Sequence, residues 1–134
     1  MNEVIEFLTA NPVVCLATVD ENNKPRVRPF QFMFEHQNRL YFCTNNTKDV
    51  FRQLQANPCV ELAVSTKEGA WLRISGNVVF TDDLKAKSYI LDHNNLVKSI
   101  YKDVYNPTFE VFYIEHVNAV IADFSGRPSR QFSF

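Results

Sequence analysis

The sequence predicts a mainly β domain with peripheral helices, its strands folded antiparallel into a closed or nearly closed barrel. Three observations carry this. Apolar, β-branched runs recur between turn signals, at Val13–Val19, Arg26–Glu35, Arg39–Thr44, Cys59–Thr66, Trp71–Phe80, Phe109–Ile114 and Asn118–Phe124. The turns at Asp20–Asn23, His36–Asn38 and Lys67–Ala70 are short, so the strands they join run antiparallel. Twelve Phe, five Tyr and one Trp need an enclosed interior, and 134 residues make one domain, 1–134, large enough to provide it.

The elements follow in order. Asn2–Ala10 places Val4, Ile5 and Leu8 on one face of a short helix that Asn11-Pro12 ends. Val13–Val19 is a buried strand, and Asp20–Asn23 is a turn of residues that tolerate tight backbone geometry. The returning strand Arg26–Glu35 puts Val27, Pro29 and Gln31 on one side and Arg26, Arg28 and Phe30 on the other. Pro29 cannot donate to a ladder, so a bulge or a sheet edge is expected there. Arg39–Thr44 completes a three-stranded meander. Asn46 or Thr47 is set to cap a helix that runs to Ala56, buries Val50, Phe51 and Leu54, and stops at Asn57-Pro58. Strands Cys59–Thr66 and Trp71–Phe80 come next, and Gly76 in the second marks a bend or a close backbone approach. Thr81–Asp83 caps a helix to Asp92, and Asn94–Val104 is another, with Leu96, Val97, Ile100 and Tyr101 at helical spacing. Phe109–Ile114 and Asn118–Phe124 are expected as two strands joined at Glu115–Val117. The tail from Ser125 has no period and is expected to be a disordered end.

Composition excludes several classes. A net charge of −1 leaves no basic face, which argues against a nucleic-acid partner. Cys15, Cys43 and Cys59 are odd in number and lack C-x-x-C spacing, so no structural zinc site is expected. His36, His93 and His116 share no ligand spacing and belong at the surface. No apolar run nears the roughly 20 residues that span a bilayer, so no membrane partner is expected. Met1–Pro12 is too short and too acidic for a secretory leader, and free thiols fit a reducing cytoplasm.

Two stretches remain that could carry chemistry. In Thr44–Lys48 a strand gives way to a helix, whose first turn offers unpaired N–H groups and the positive end of its dipole. The hydroxyls of Thr44 and Thr47 and the ammonium of Lys48 add donors, so a phosphate fits there; an ordinary N-cap beside a solvated lysine has the same sequence. Arg26 and Arg28 lie two apart on one strand and share a face. They form either an anion clamp or a solvated strand face. If strands 26–35 and 39–44 form a hairpin, paired numbers sum to about 74. Phe30 then faces Cys43 or Thr44, and Arg28 falls near Asn45–Thr47, so that the two donor sets converge.

These motifs carry a resemblance. The opening helix, Ala17–Asp20, Pro25–Pro29, Tyr41–Lys48 and Trp71–Gly76, in this order and spacing, resemble the pyridoxamine 5′-phosphate oxidase-like family of FMN-binding split barrels. The likeness covers nearly the whole chain and is greatest to the short stand-alone, nitroimidazole-resistance-type members. It implies a six-stranded antiparallel split barrel and a homodimer with FMN at the subunit interface. It implies that Arg28, Pro29, Phe30 and Gln31 follow the isoalloxazine edge, partly through backbone groups. Phe42, Cys43, Thr44 and Asn45 then lie close to the flavin, while Thr47 and Lys48 grip its phosphate with help from Arg26 or Arg28. Trp71 either reaches the cofactor from the partner subunit or belongs to the core.

The oxidase itself has two adjacent basic residues in a longer phosphate loop; here Asp49 follows Lys48, so Arg26 or Arg52 has to supply the second charge. The oxidase's C-terminal extension is not recognisable either, leaving Arg127 and Arg130 as its only counterparts. The implied activity is that of an oxidoreductase acting on a small organic molecule by hydride transfer through flavin N5, with NADH or NADPH as the electron donor to test. No side chain stands out as an acid or base. Rival readings keep the barrel with haem or the deazaflavin F420, or make it a non-catalytic flavin-binding or sensor domain. An oligonucleotide-binding barrel is a further rival, disfavoured by the acidic charge balance.

Overall fold

The computed structural model describes residues Met1–Phe134. Its elements run α1 (Asn2–Ala10), β1 (Val13–Val19), β2 (Pro25–Gln31), β3 (Phe34–His36), β4 (Arg39–Asn45), α2 (Asp49–Ala56), β5 (Cys59–Ser65), β6 (Trp71–Thr81), α3 (Leu84–His93), α4 (Asn95–Tyr101), β7 (Phe109–Ala122) and β8 (Arg130–Ser133). One antiparallel sheet has the order β2-β1-β5-β6-β7-β4-β3, and β8 pairs with β7.

The segment expected as a single strand, Arg26–Glu35, is two. β2 pairs with β1 from Val13↔Gln31 to Val19↔Pro25. Two residues later the chain has changed partner, and β3 pairs with β4 from Phe34↔Tyr41 to His36↔Arg39. The corner is held on both sides: the Phe32 amide donates to Pro12 O at 2.8 Å and the Met33 amide to Tyr41 O at 3.0 Å. β2 and β3 therefore stand at opposite ends of the sheet while being neighbours in the chain. The sheet has to curl until its ends meet, and because no ladder joins β2 to β4 the barrel is open along that line.

The long hairpin expected here is thus corrected. Phe30 pairs with Val14 and not with Cys43 or Thr44. The true β3–β4 hairpin turns at Gln37-Asn38, with φ of 52° and 62°, the primed geometry that suits a two-residue loop. Pro29 sits on the edge strand β2, where its missing donor costs no ladder bond.

β7 is a second correction. The two strands expected around Glu115–Val117 are one strand, bent at His116 where φ is 53°. The cause lies opposite, where β6 shifts register between Ser75 and Asn77. A Cβ on Gly76 would stand 2.5 Å from Ile114 Cγ2 and 2.8 Å from Glu115 O, so only glycine lets the strands approach at the bend. Gly76→Ala is therefore expected to lose about 1–3 kcal/mol, the usual cost of overpacking, as an unchanged m-value with a lower urea midpoint.

The barrel interior is filled by Leu16, Leu40, Phe42, Leu62, Leu72, Ile74, Phe112 and Ile114, all at most 1% exposed, and α1 plugs one end with Val4 and Leu8. A second cluster, including Tyr41, Ile90, Val97, Tyr101 and Phe109, seats α3 and α4 on the outside of the sheet. The tail expected to be disordered is ordered as β8. Phe134 exchanges backbone hydrogen bonds with Val117, Phe132 and Phe134 pack on the core, and Arg130 pairs with Glu3 of α1 at 2.8 Å.

Candidate functional site

The open line leaves a cleft of about 930 Å³ between β2 and the start of α2, lined by Arg26, Val27, Arg28, Thr47, Lys48, Arg52 and Gln53 among others. Arg28 reaches it from a buried polar node. Its Nη1 donates to Thr18 Oγ1 at 2.8 Å and to Leu16 O at 3.3 Å, and its Nη2 donates to Gln53 Oε1 at 2.7 Å. Thr18, only 2% exposed, donates its own hydroxyl to Gln53 Oε1 at 2.6 Å. The node fixes the guanidinium while leaving two of its five N–H donors unengaged. Burial lowers the Arg28 pKa from its ordinary value and the Asp49 charge raises it, but an arginine starts so high that it stays cationic.

The charges around the cleft are unequally satisfied. Arg26 is taken by Asp20, Nε to Oδ2 at 2.9 Å. Asp20 also accepts the Asn22 and Lys24 amides, and these bonds, Lys24's foremost, hold its carboxyl below the ordinary range. Arg52 is taken by Asp49 at 2.7 Å. Arg28 and Lys48 are in no ion pair.

Between these two cations the helix begins. The N-cap position of α2 is held by Lys48, whose side chain cannot accept, and no side chain caps the helix. The expected caps are engaged elsewhere: Thr47 gives both its amide and its hydroxyl to Asn45 Oδ1, at 2.9 and 2.8 Å, and Asn46 Nδ2 donates to Pro107 O at 2.8 Å. Uncapped first-turn amides, a helix dipole and two unpaired cations make a donor set for a phosphate group.

Of the residues singled out by sequence, the structure brings Arg26, Arg28, Thr47 and Lys48 to this cleft. It does so through α2 packed over β1, and not through the hairpin that sequence proposed. Pro29 and Gln31 lie on β2, whose outer edge is unpaired. Phe30 turns inward, 5.7 Å from Phe112 and 6.3 Å from Phe42 in ring centroids, and Phe42 is wholly buried. Thr44 is buried with no hydrogen-bond partner for its hydroxyl. Cys43 faces the α4 side, where burial pushes its thiol up to about 12, so it is no ready nucleophile. Trp71 packs against Phe124, ring centroids 5.0 Å apart and tilted by 57°, and does not line this cleft.

Sequence reasoning missed Thr18, Asp20 and Gln53. A threonine on the inward side of an apolar strand and a glutamine between Val50 and Leu54 on the buried side of α2 were the available signals. No group of three or more His, Cys, Asp or Glu side chains gathers where it could hold a metal.

The cleft opens beside an unusual sheet face. An antiparallel sheet facing water normally turns polar residues outward. Here the outer face of β2, β1 and β5 carries Val13 at 61% exposure, Val27 at 66%, and exposed Cys15, Pro29 and Ala63. The register aligns Cys15 with Pro29 and Ala63, and Ala17 with Val27 and the exposed Glu61, the one charge in these rows. Val27 belongs both to this face and to the cleft.

An open antiparallel barrel with a charged cleft on its open line, where four cations stand beside Asp20, Glu21 and Asp49, defines a split barrel. The chain belongs to the pyridoxamine 5′-phosphate oxidase family, whose model matches residues 1–119. It is similar to a NimC/NimA family protein from Clostridium acetobutylicum, at 36% identity and a TM-score of 0.90 over 100% of this chain and 92% of that one. It shares its fold with a pyridoxamine 5′-phosphate oxidase-related, FMN-binding protein from Nostoc punctiforme (16% identity, TM-score 0.71, 96% of this chain and 84% of that one). HutZ, a haem storage protein from Vibrio cholerae, has the fold too (18% identity, TM-score 0.65, 84% of this chain and 87% of that one). No curated protein matches the chain. Solved proteins that share this fold thus include one described as FMN-binding and one described as a haem storage protein. No helix is long and apolar enough to cross a membrane.

Proposed function

We propose that this chain binds FMN as a homodimer and acts as an FMN-dependent oxidoreductase on a small organic molecule. One observation carries the reading: Arg28 and Lys48, the two unpaired cations of the cleft, flank the uncapped start of α2. That donor set suits the phosphate of FMN. The unpaired edge of β2, from Arg28 to Gln31, is free to hydrogen-bond a flat polar ring. When bound, FMN supplies hydride chemistry; the chain supplies its anchor, its orientation and shelter from water.

The exposed apolar face of β2, β1 and β5 supports the dimer, because a second copy would cover it and Val27 would carry that cover to the rim of the cleft. On the partner, Trp71 is then available to meet the cofactor. Haem is the weaker fit: no histidine, cysteine or methionine lines the cleft to ligate iron. Three free cysteines suit a reducing cytoplasm.

Titration with FMN and with riboflavin tests the assignment. One FMN is expected to bind per chain, and riboflavin, lacking the phosphate, about 100-fold more weakly or worse. Equal affinities would remove the phosphate from the cleft. Anaerobic NADPH or NADH should then bleach the bound flavin; a flavin that neither reduces belongs to a storage or sensing protein.

A further inference from the structure

The apolar face beside the cleft continues onto β6, where its charges become self-complementary. α3 and α4 cover the outer side of the sheet beside Tyr41, Phe109 and Val111, while Val27, Ala63 and Arg73 stand exposed. The two middle register rows of the face run on across the β5–β6 ladder: Arg73 is opposite Ala63, and Ser75 is opposite Glu61. From β2 to β6 those rows hold one acid, Glu61, and one base, Arg73. Both are exposed, and neither belongs to an ion pair within the chain. They are diagonal neighbours on adjacent strands, with about 8 Å between their Cα atoms.

Glu61 shares its row with Ala17 and Val27. A second copy laid over this face takes that carboxylate out of water, which is costly unless a cation meets it. The face itself supplies the cation, and a two-fold contact presents it twice. Identical faces stacked on each other are related by an axis in the plane of contact. An axis midway between Glu61 and Arg73, at right angles to the line joining them, exchanges the two positions. On a flat sheet with strands about 4.8 Å apart and about 6.7 Å per two residues, that axis sets Trp71 of the partner subunit between Ala17 and Val27, within about 4 Å of each in projection. It crosses the two sheets at roughly 70°, close to the orthogonal class of sheet packing. The axis is defined by the two charges alone, and it brings an aromatic ring to Val27, the residue of this face that borders the cleft.

We propose that two reciprocal ion pairs, Glu61 of each copy with Arg73 of the partner subunit, set the register of the dimer. The pairing rests on the dimer assigned above to this face and goes further by fixing how the two copies are turned. Such pairs contribute more to register and partner choice than to raw affinity.

Charge reversal, read by light scattering on the full chain with FMN and without it, tests the pairing. Glu61→Arg sets base against base in both contacts, and Arg73→Glu sets acid against acid. Each is expected to raise the dimer dissociation constant at least about 100-fold. Mixed in equal amounts, the two variants are expected to return to within about fivefold of wild type, because every contact then joins an acid to a base. Recovery on mixing also shows that each variant is folded. The double variant Glu61→Arg/Arg73→Glu should dimerise alone for the same reason. Single variants as dimeric as wild type would overturn the pairing without touching the face. Absence of recovery on mixing would overturn it too, and recovery confined to the double variant would place the pair inside one chain. A monomeric wild type would remove this proposal and the dimer together.

Discussion

Alanine at both Arg28 and Lys48 is expected to lower FMN affinity by about 10²–10⁴-fold while riboflavin affinity changes by less than about threefold. A hydrogen bond to a charged group contributes about 1.5–3 kcal/mol, and two such groups are removed. Arg26 and Arg52 are poorer substitutes, because each would have to give up its ion pair with Asp20 or Asp49, at 2.9 and 2.7 Å. The fold should survive, since Thr18 and Gln53 remain hydrogen-bonded to each other at 2.6 Å after the guanidinium is gone. Arg28→Lys is the informative companion. It keeps the charge but cannot bridge Thr18 and Gln53 in one plane, so it should fall between wild type and alanine. A double variant that purifies with a full flavin complement would place the phosphate elsewhere.

Val27→Asp should turn the proposed dimer into a monomer by light scattering and weaken FMN with it. In a two-fold contact each substitution is met twice, so two added carboxylates would enter a mostly apolar layer in the register row that already holds Glu61. The dimer dissociation constant is expected to rise more than about 100-fold. Val27 is 66% exposed in the single chain, so the monomer itself tolerates the change. A dimeric, yellow Val27→Asp protein would move the interface off this face.

Much of the architecture was legible because it follows from local chemistry. α1 and β1 fall where Val4, Leu8 and the β-branched run put them, and α2 ends at Asn57-Pro58. Pro29 announced an edge and Gly76 a close approach, and both are found. What stayed hidden depends on partners far away in the chain. Phe32 and Met33 look like the middle of a strand; only the competing claims of Pro12 and Tyr41 turn them into a corner. His116 gives no local sign of a bend, which is imposed from across the sheet. The tail lacks a period because four residues of β8 borrow their order from β7 and Glu3. The two donor stretches were visible as motifs. Their meeting through Thr18 and Gln53 was not, because a hydroxyl and an amide separated by 35 positions carry no shared pattern.

The corner at Phe32–Met33 has a mechanical result. The two rims of the barrel are joined by covalent chain at one end and by no ladder along the rest. The gap is therefore bridged by side-chain packing, Phe30 of β2 against Phe42 of β4, and widening it about that corner breaks no interstrand ladder bond.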